Sequence, residues 1–181
     1  MKNIDTRVQY TKARFSEALL TLIEQQPIGS VSVRALCDEA GLNRGTFYLH
    51  YDEPIDVLRE MEWALFDRAV ISLDSYVSGS RRDRILKQLQ ALRQEQRLCA
   101  AVIGRNGDPH FLSELSEKVF SILREKLLSE NPSKDEAELR ARFSFMFAGC
   151  TGLISAWLEG NGLSDEETAN LLSQLCDSVM Q

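Results

Sequence analysis

At 181 residues, 44% of them apolar, the chain is large enough to bury a core, either as one domain or as a small domain fused to a larger one. No apolar run approaches the ~20 residues of a membrane span, and charges in "MKNIDTRVQY" stand where a signal peptide has its apolar core, so a cytoplasmic protein is expected. The net charge of −6 is uneven, with six Lys/Arg against five Asp/Glu in residues 1 to 51 and fifteen against twenty-two in residues 52 to 181; screening over ~8 Å at physiological salt therefore still allows a locally positive surface in the first part.

Turn-forming clusters at "QQPIGS", "VSGS", "GRNGDP", "NPS" and "GNG" separate segments of helical periodicity, which predicts an all-α fold. In the first helix Phe15, Ala18, Leu19, Leu22 and Ile23 follow an i, i+3, i+4, i+7, i+8 pattern, and Thr6 with Gln9 reads as a capping box at its start. Ser32 caps a short second helix whose Val33, Leu36, Cys37 and Ala40 share one face, and Gly41 ends it. Asn43 starts the third helix almost at once, with Leu42 and Phe47 at the spacing of a hydrophobic staple. Phe47, His50 and Tyr51 then face inward, while Arg44, Gly45, Thr46, Tyr48 and Leu49 face mostly outward. Two short helices joined by a tight Gly-containing turn, the second carrying an outward polar set, make a helix-turn-helix pattern.

Such a helix fits a DNA major groove. Arg44 is the candidate base reader, because a guanidinium bonds both guanine acceptors. Gly45 permits close backbone approach, Thr46 suits a thymine methyl or a phosphate, and Tyr48 and His50 suit phosphate oxygens, with Ser32 and Arg34 gripping the adjacent strand. Taken singly, each is more often a packing or solvated residue; the caps, staple, glycine and polar set in register are what make the segment specific.

From Thr6 to about Leu58, and above all in "SVRALCDEAGLNRGTFYLHY", the chain closely resembles the DNA-binding domain of TetR-family transcriptional regulators. The resemblance implies a homodimer with an N-terminal three-helix DNA-binding domain (1–53) and a C-terminal helical bundle (54–181) that dimerises and holds a small-molecule effector. It also implies DNA contacts from Ser32, Arg34, Arg44, Gly45, Thr46, Tyr48 and His50. The family usually has a phosphate-binding lysine near the start of the fourth helix, where this chain reads "DEPIDVL" with Pro54. Pro and the acids suit a helix start, so the expected effect falls on DNA affinity, with Lys2, Arg7, Lys12 and Arg14 in an N-terminal arm as compensating cations.

The fourth helix is expected from Pro54 to about Tyr76, as a lever between the two domains, with further helices over 81–103, 109–129, 134–159 and 164–180 and capping boxes at Ser133–Glu136 and Ser164–Glu167. In the 134–159 helix, Leu139, Phe143, Met146, Phe147, Cys150, Leu153, Ile154, Trp157 and Leu158 form a broad apolar stripe, and Phe145, Gly149, Gly152 and Ala156 line a second face. A helix apolar on two sides buries both, which predicts a dimer through that face and the last helix's Leu171, Leu172, Leu175 and Val179. Two recognition helices would then read a pseudo-palindrome with half-sites ~34–36 Å apart. Trp63, Phe66, Cys99, His110, Phe111 and Phe120 are candidate lining for an effector cavity, although most such residues are ordinary core.

No cofactor or metal is expected. Both histidines fail the Glu-x-x-His test, with Phe47 and Gly107 three residues before them, and there is no Gly-rich phosphate loop, nucleophile elbow or HExxH, so catalysis is not indicated. Cys37, Cys99, Cys150 and Cys176 are widely spaced without a C-x-x-C pair and read as small buried hydrophobes. The rival to a gene regulator is a helical protein-interaction adaptor that has lost DNA binding, favoured by Pro54 and its acidic neighbours.

Overall fold

A computed structural model describes residues 2–74 and 80–180, with side chains for 6–67 and 80–179. The described residues are helical with no strand, as expected: α1 (Lys2–Ile23), α2 (Val33–Ala40), α3 (Arg44–Tyr48), α4 (Pro54–Asp74), α5 (Arg81–Gln94), α6 (Gln96–Ile103), α7 (Phe111–Glu130), α8 (Glu136–Leu158) and α9 (Asp165–Met180), with a single 3-10 turn at Ile28–Ser30. The expected end of the fourth helix at Tyr76, most of the "VSGS" turn and the Lys2 side chain lie outside the described residues. The chain forms two units, residues 1–72 with 101–109, and residues 73–100 with 110–181.

In the first unit, α1 buries Phe15, Ala18, Leu19 and Ile23 against Leu36, Cys37 and Ala40 of α2 and Phe47 of α3. Ser32 Oγ accepts from Ala35 N, Asn43 Oδ1 accepts from Thr46 N, and Gly41 closes α2 in the left-handed region at φ 66°, where a side chain is strained. The Thr6–Gln9 capping box is not formed: α1 already begins at Lys2, which leaves Thr6 inside the helix. Residues 101–109 return to this unit through specific bonds. Ile28 N donates to Asn106 O at 2.8 Å, Asn106 Nδ2 donates to Ile23 O at 2.8 Å, and Arg59 Nε lies 3.4 Å from the buried Asp108 carboxylate. Gly107 is required in this turn, because a Cβ there would lie 2.4 Å from Ala101 O.

In the second unit, α5 and α8 pack on α9, and α7 packs on α8. Its core holds Leu89, Phe120, Leu139, Phe143, Trp157, Leu158, Ala169 and Leu172. The continuous 81–103 helix is instead broken at Glu95, whose backbone (φ −115°, ψ 34°) leaves the helical region. No local breaker sits there. Tertiary contacts on either side hold the break: Arg93 pairs with Asp165 at 2.6 Å and stacks over the Trp157 ring at 4.3 Å, and Gln96 Nε2 donates to Leu158 O at the end of α8. Asp135, rather than Ser133, caps α8 by accepting from Glu138 N, because the helix starts only at Glu136, whose carboxylate pairs with Arg124. The Ser164–Glu167 box forms reciprocally as expected.

Two sequence expectations fail in this unit. By length and composition α8 is long and apolar enough to cross a membrane; strict apolar counting missed this because Gly, Ala, Ser and Thr interrupt its larger side chains. Cys150 and Cys176 are only half-buried and lie with their sulfurs 3.6 Å apart, a pairing that linear spacing cannot reveal.

Phe47 is fully buried and Leu49 is 78% exposed, two residues apart. Phe47→Ala is expected to destabilise the fold by about 3–5 kcal/mol and Leu49→Ala by under about 0.5 kcal/mol, both measured by urea unfolding. Similar losses for both would contradict this packing.

Candidate nucleic-acid interface

The outward face of α2 and α3 is built from two caps and one aromatic anchor. Phe47 meets Phe15 edge-on at 5.3 Å and Tyr51 at 5.7 Å, and Tyr51 meets Phe15 at 6.2 Å. Tyr51 Oη donates to Glu60 Oε2 at 3.0 Å, and Lys12 Nζ holds the same carboxylate at 2.7 Å. Burial, followed by the Glu60 charge, pushes the Tyr51 hydroxyl well above its ordinary range, so it stays a neutral donor at every physiological pH. With α3 anchored from behind by Phe47, Arg44, Gly45 and Tyr48 are left on its exposed side.

Arg44, Gly45 and Tyr48 are exposed, Tyr48 at 59%. Arg44 makes no ion pair among the described residues, although its charge reaches the Cys37 thiol, where it opposes the upward push of burial. A Cβ on Gly45 would come within 3.3 Å of the Asn43 cap oxygen, so glycine keeps the cap uncrowded as well as the surface low. Thr46 is half-buried and its hydroxyl donates to Asn43 Oδ1 at 3.1 Å. That commits its proton to the cap and leaves its methyl and lone pairs for a ligand. His50 is half-buried, edge-on to Tyr51 at 6.3 Å.

At the start of α2, Ser32 is exposed, and its oxygen accepts the cap bond while the O–H remains able to donate. Arg34 pairs with Asp38 at 3.6 Å, both about three-quarters exposed. A solvated pair of this kind is worth ~0.2–1 kcal/mol and exchanges readily for a phosphate. Leu49, 78% exposed beside Tyr48, extends the face with an apolar edge that the polar reading did not emphasise.

The compensating arm takes a different form. Lys12 is engaged with Glu60, and Arg14 donates through Nε and Nη2 to Ala40 O at 3.1 and 2.6 Å, capping the C-terminus of α2. Helix α1 runs unbroken through both residues. Of the four cations, Arg7 alone is exposed and without an ion pair among the described residues, the Lys2 side chain lying outside them. At the position of the missing lysine, α4 starts on Pro54 as expected, and Asp56 Oδ2 accepts from the Asp52 and Glu53 amides at 3.1 and 2.8 Å. A carboxylate thus occupies the amides that an incoming phosphate would otherwise find.

The candidate effector residues fall in separate places. Trp63 and the buried Phe66 meet edge-on at 5.7 Å on α4 in the first unit. Cys99, Phe111 and Phe120 are buried in the second, where Phe120 packs on Phe143 at 5.4 Å under the Arg140 guanidinium at 4.4 Å. His110 is the exposed N-cap residue of α7, whose ring makes no cap bond. Asn106 and Asp108, which tie residues 101–109 to α1 and α4, were not singled out from sequence; "GRNGDP" reads there simply as a turn.

Two family models match the chain. One, described as bacterial regulatory proteins of the tetR family, covers residues 16–53. The other, described as a transcriptional regulator C-terminal region, covers residues 82–178, more than half of the chain. A TetR transcriptional regulator from Streptococcus agalactiae 2603V superposes with a TM-score of 0.71 at 18% identity, over 97% of this chain and 98% of that one. A TetR transcriptional regulator from Rhodococcus sp. RHA1 does so with a TM-score of 0.55 at 17% identity, over 94% and 96%. The fatty acid degradation regulator FadR from Bacillus halodurans gives 0.58 at 14% identity, over 94% of each chain. At such identities the likeness is one of fold. No curated protein matches the sequence.

Arg14→Ala is expected to lower stability by about 1–2 kcal/mol through loss of a charged cap on α2, read as a shift in the urea midpoint. Unchanged stability would return Arg14 to the role of a free cation.

Proposed function

The chain belongs to the TetR family of transcriptional regulators, and from that premise we propose that it binds a pseudo-palindromic DNA operator as a homodimer, acting as a cytoplasmic repressor released by a small-molecule effector. Residues 1–53 form the DNA-binding domain in this reading and residues 54–181 the dimerisation and effector domain. The observation that carries it is the exposed set Arg44, Gly45 and Tyr48 on a helix anchored from behind by Phe47. Arg44 reads a guanine, Tyr48, His50 and Ser32 contact phosphates, the Thr46 methyl packs on a thymine, and Arg34 leaves Asp38 for a phosphate.

Dimerisation through α8 and α9 is supported by what those helices leave uncovered. Phe145 is 72% and Leu175 46% exposed, and a Cβ on Gly149 or Gly152 would meet nothing within 4 Å. Ala156, Leu171 and Val179 are half-buried beside them. A second copy covers this surface and sets two recognition helices on a dyad. The effector rests on the family. A signal reaching residues 101–109 has a route to α1 and α4 through Asn106 and Asp108.

The adaptor reading keeps one specific support, the carboxylate-capped start of α4. Fluorescence anisotropy on DNA flanking the protein's own coding region, against a scrambled duplex of equal length, separates the two. Wild type is expected to discriminate, and Arg44→Ala to lose about 1–3 kcal/mol of that discrimination with an unchanged circular dichroism spectrum. Equal binding of both duplexes by wild type would favour the adaptor. Phe145→Arg is expected to give a monomer in analytical ultracentrifugation and to lose operator binding with α3 intact; a dimer that persists would move the interface elsewhere.

A further inference from the structure

Four cysteines occupy two kinds of environment. Cys37 and Cys99 are buried, whereas Cys150 on α8 and Cys176 on α9 are half-buried with their sulfurs 3.6 Å apart. A disulfide requires ~2.05 Å, an approach of roughly 1.5 Å that side-chain torsions on two adjacent helices can supply. We propose that Cys150 and Cys176 form a reversible intrachain disulfide when the protein meets a hydroperoxide, making the α8–α9 seam a redox-modification site independent of the DNA-binding reading.

The two sulfurs are not equivalent. The Cys176 thiol is lowered, chiefly by the hydrogen bond it shares with Cys150, against burial and the Asp177 charge, with the Arg81 guanidinium adding to the lowering; Cys150 is raised by that same contact and by burial. Arg81 is held in place at 3.3 Å from the Asp177 carboxylate next along α9. A cation, Arg81, stands at Cys176 and none acts on Cys150, which makes Cys176 the attacking sulfur and Cys150 the resolving one in this proposal.

The Cys176 thiolate attacks the terminal oxygen of the hydroperoxide, the O–O bond breaks, and the departing alkoxide takes a proton to become an alcohol, which leaves a sulfenic acid on Cys176. Cys150 sulfur then attacks Cys176 sulfur, and the S–O bond breaks. The hydroxide leaves with the Cys150 proton as water. Two thiols lose two electrons in total and the hydroperoxide gains them. A dithiol reductant reverses the link by exchange. The closed link pins α8 to α9, the two helices that carry the surface assigned above to a second copy, so its formation changes the freedom of that surface.

The test is peptide mapping of the full chain by mass spectrometry after hydrogen peroxide treatment and alkylation, without reductant. The expected product is one peptide pair joined through Cys150 and Cys176, lost on dithiothreitol treatment, with Cys37 and Cys99 alkylated only after unfolding. Cys150→Ser is expected to accumulate a Cys176 sulfenic acid that dimedone traps, and Arg81→Gln to slow link formation several-fold. Failure of the link to form, links between chains, or oxidation of Cys176 past the sulfenic stage in wild type without a link would overturn the proposal. Dimedone capture on Cys150 in Cys176→Ser at the wild-type rate would overturn the assignment of the attacking sulfur.

Discussion

A helix of five residues has no stability of its own: nucleating one turn fixes several dihedrals in return for a single hydrogen bond, and isolated helices shorter than ~12–15 residues are marginal in water. Helix α3, Arg44–Tyr48, exists because Phe47 is clamped between Phe15 and Tyr51 and because Asn43 closes its first turn. Everything assigned to the DNA face follows from that clamp. With Phe47 fixed inward, the helical geometry places Arg44, Gly45 and Tyr48 outward, and the Gly41 turn fixes α3 against α2. Tyr51 extends the clamp to α4 through Glu60, and Lys12 closes the circuit from α1. Side chains of α1, α3's flank and α4 are thereby tied together within one compact unit.

The same circuit sets the electrostatics. The first 51 residues carry a small excess of positive charge, but two of their six cations are used internally, Lys12 on Glu60 and Arg14 on Ala40 O. The charge available to phosphate therefore centres on Arg7, Arg34 and Arg44. With Asp56 occupying the amides before Pro54, the face offers fewer sequence-independent contacts than the net count suggests, and the DNA binding proposed above would lean correspondingly on Arg44.

The parts of this architecture that sequence made legible are those governed by local chemistry. Ser32, Gly41 and Asn43 act at the positions their side chains dictate, because a cap or a left-handed turn involves residues only a few apart. The inward face of α1 and α2 followed from periodicity for the same reason. Apart from the caps expected at Thr6 and Ser133, where the helices start at other residues, what was missed depends on partners distant in the chain. The break at Glu95 is held by Trp157, Asp165 and Leu158 O, the Arg14 cap by Ala40, and the anchoring of residues 101–109 by Ile23 and Arg59. The Cys150 and Cys176 sulfurs meet because α8 and α9 are packed neighbours, a fact of tertiary structure that burial preference cannot supply.

Hydroxyl-radical footprinting of the full-length protein on DNA flanking its coding region addresses the central claim most directly, that an outward α2–α3 face anchored by Phe47 reads duplex DNA in dyad-related pairs. The account predicts two protected patches related by a dyad, with centres ~34–36 Å or a multiple of one helical turn apart, both lost in Arg44→Ala. A single unsymmetrical patch, or a footprint unchanged by Arg44→Ala, would contradict it.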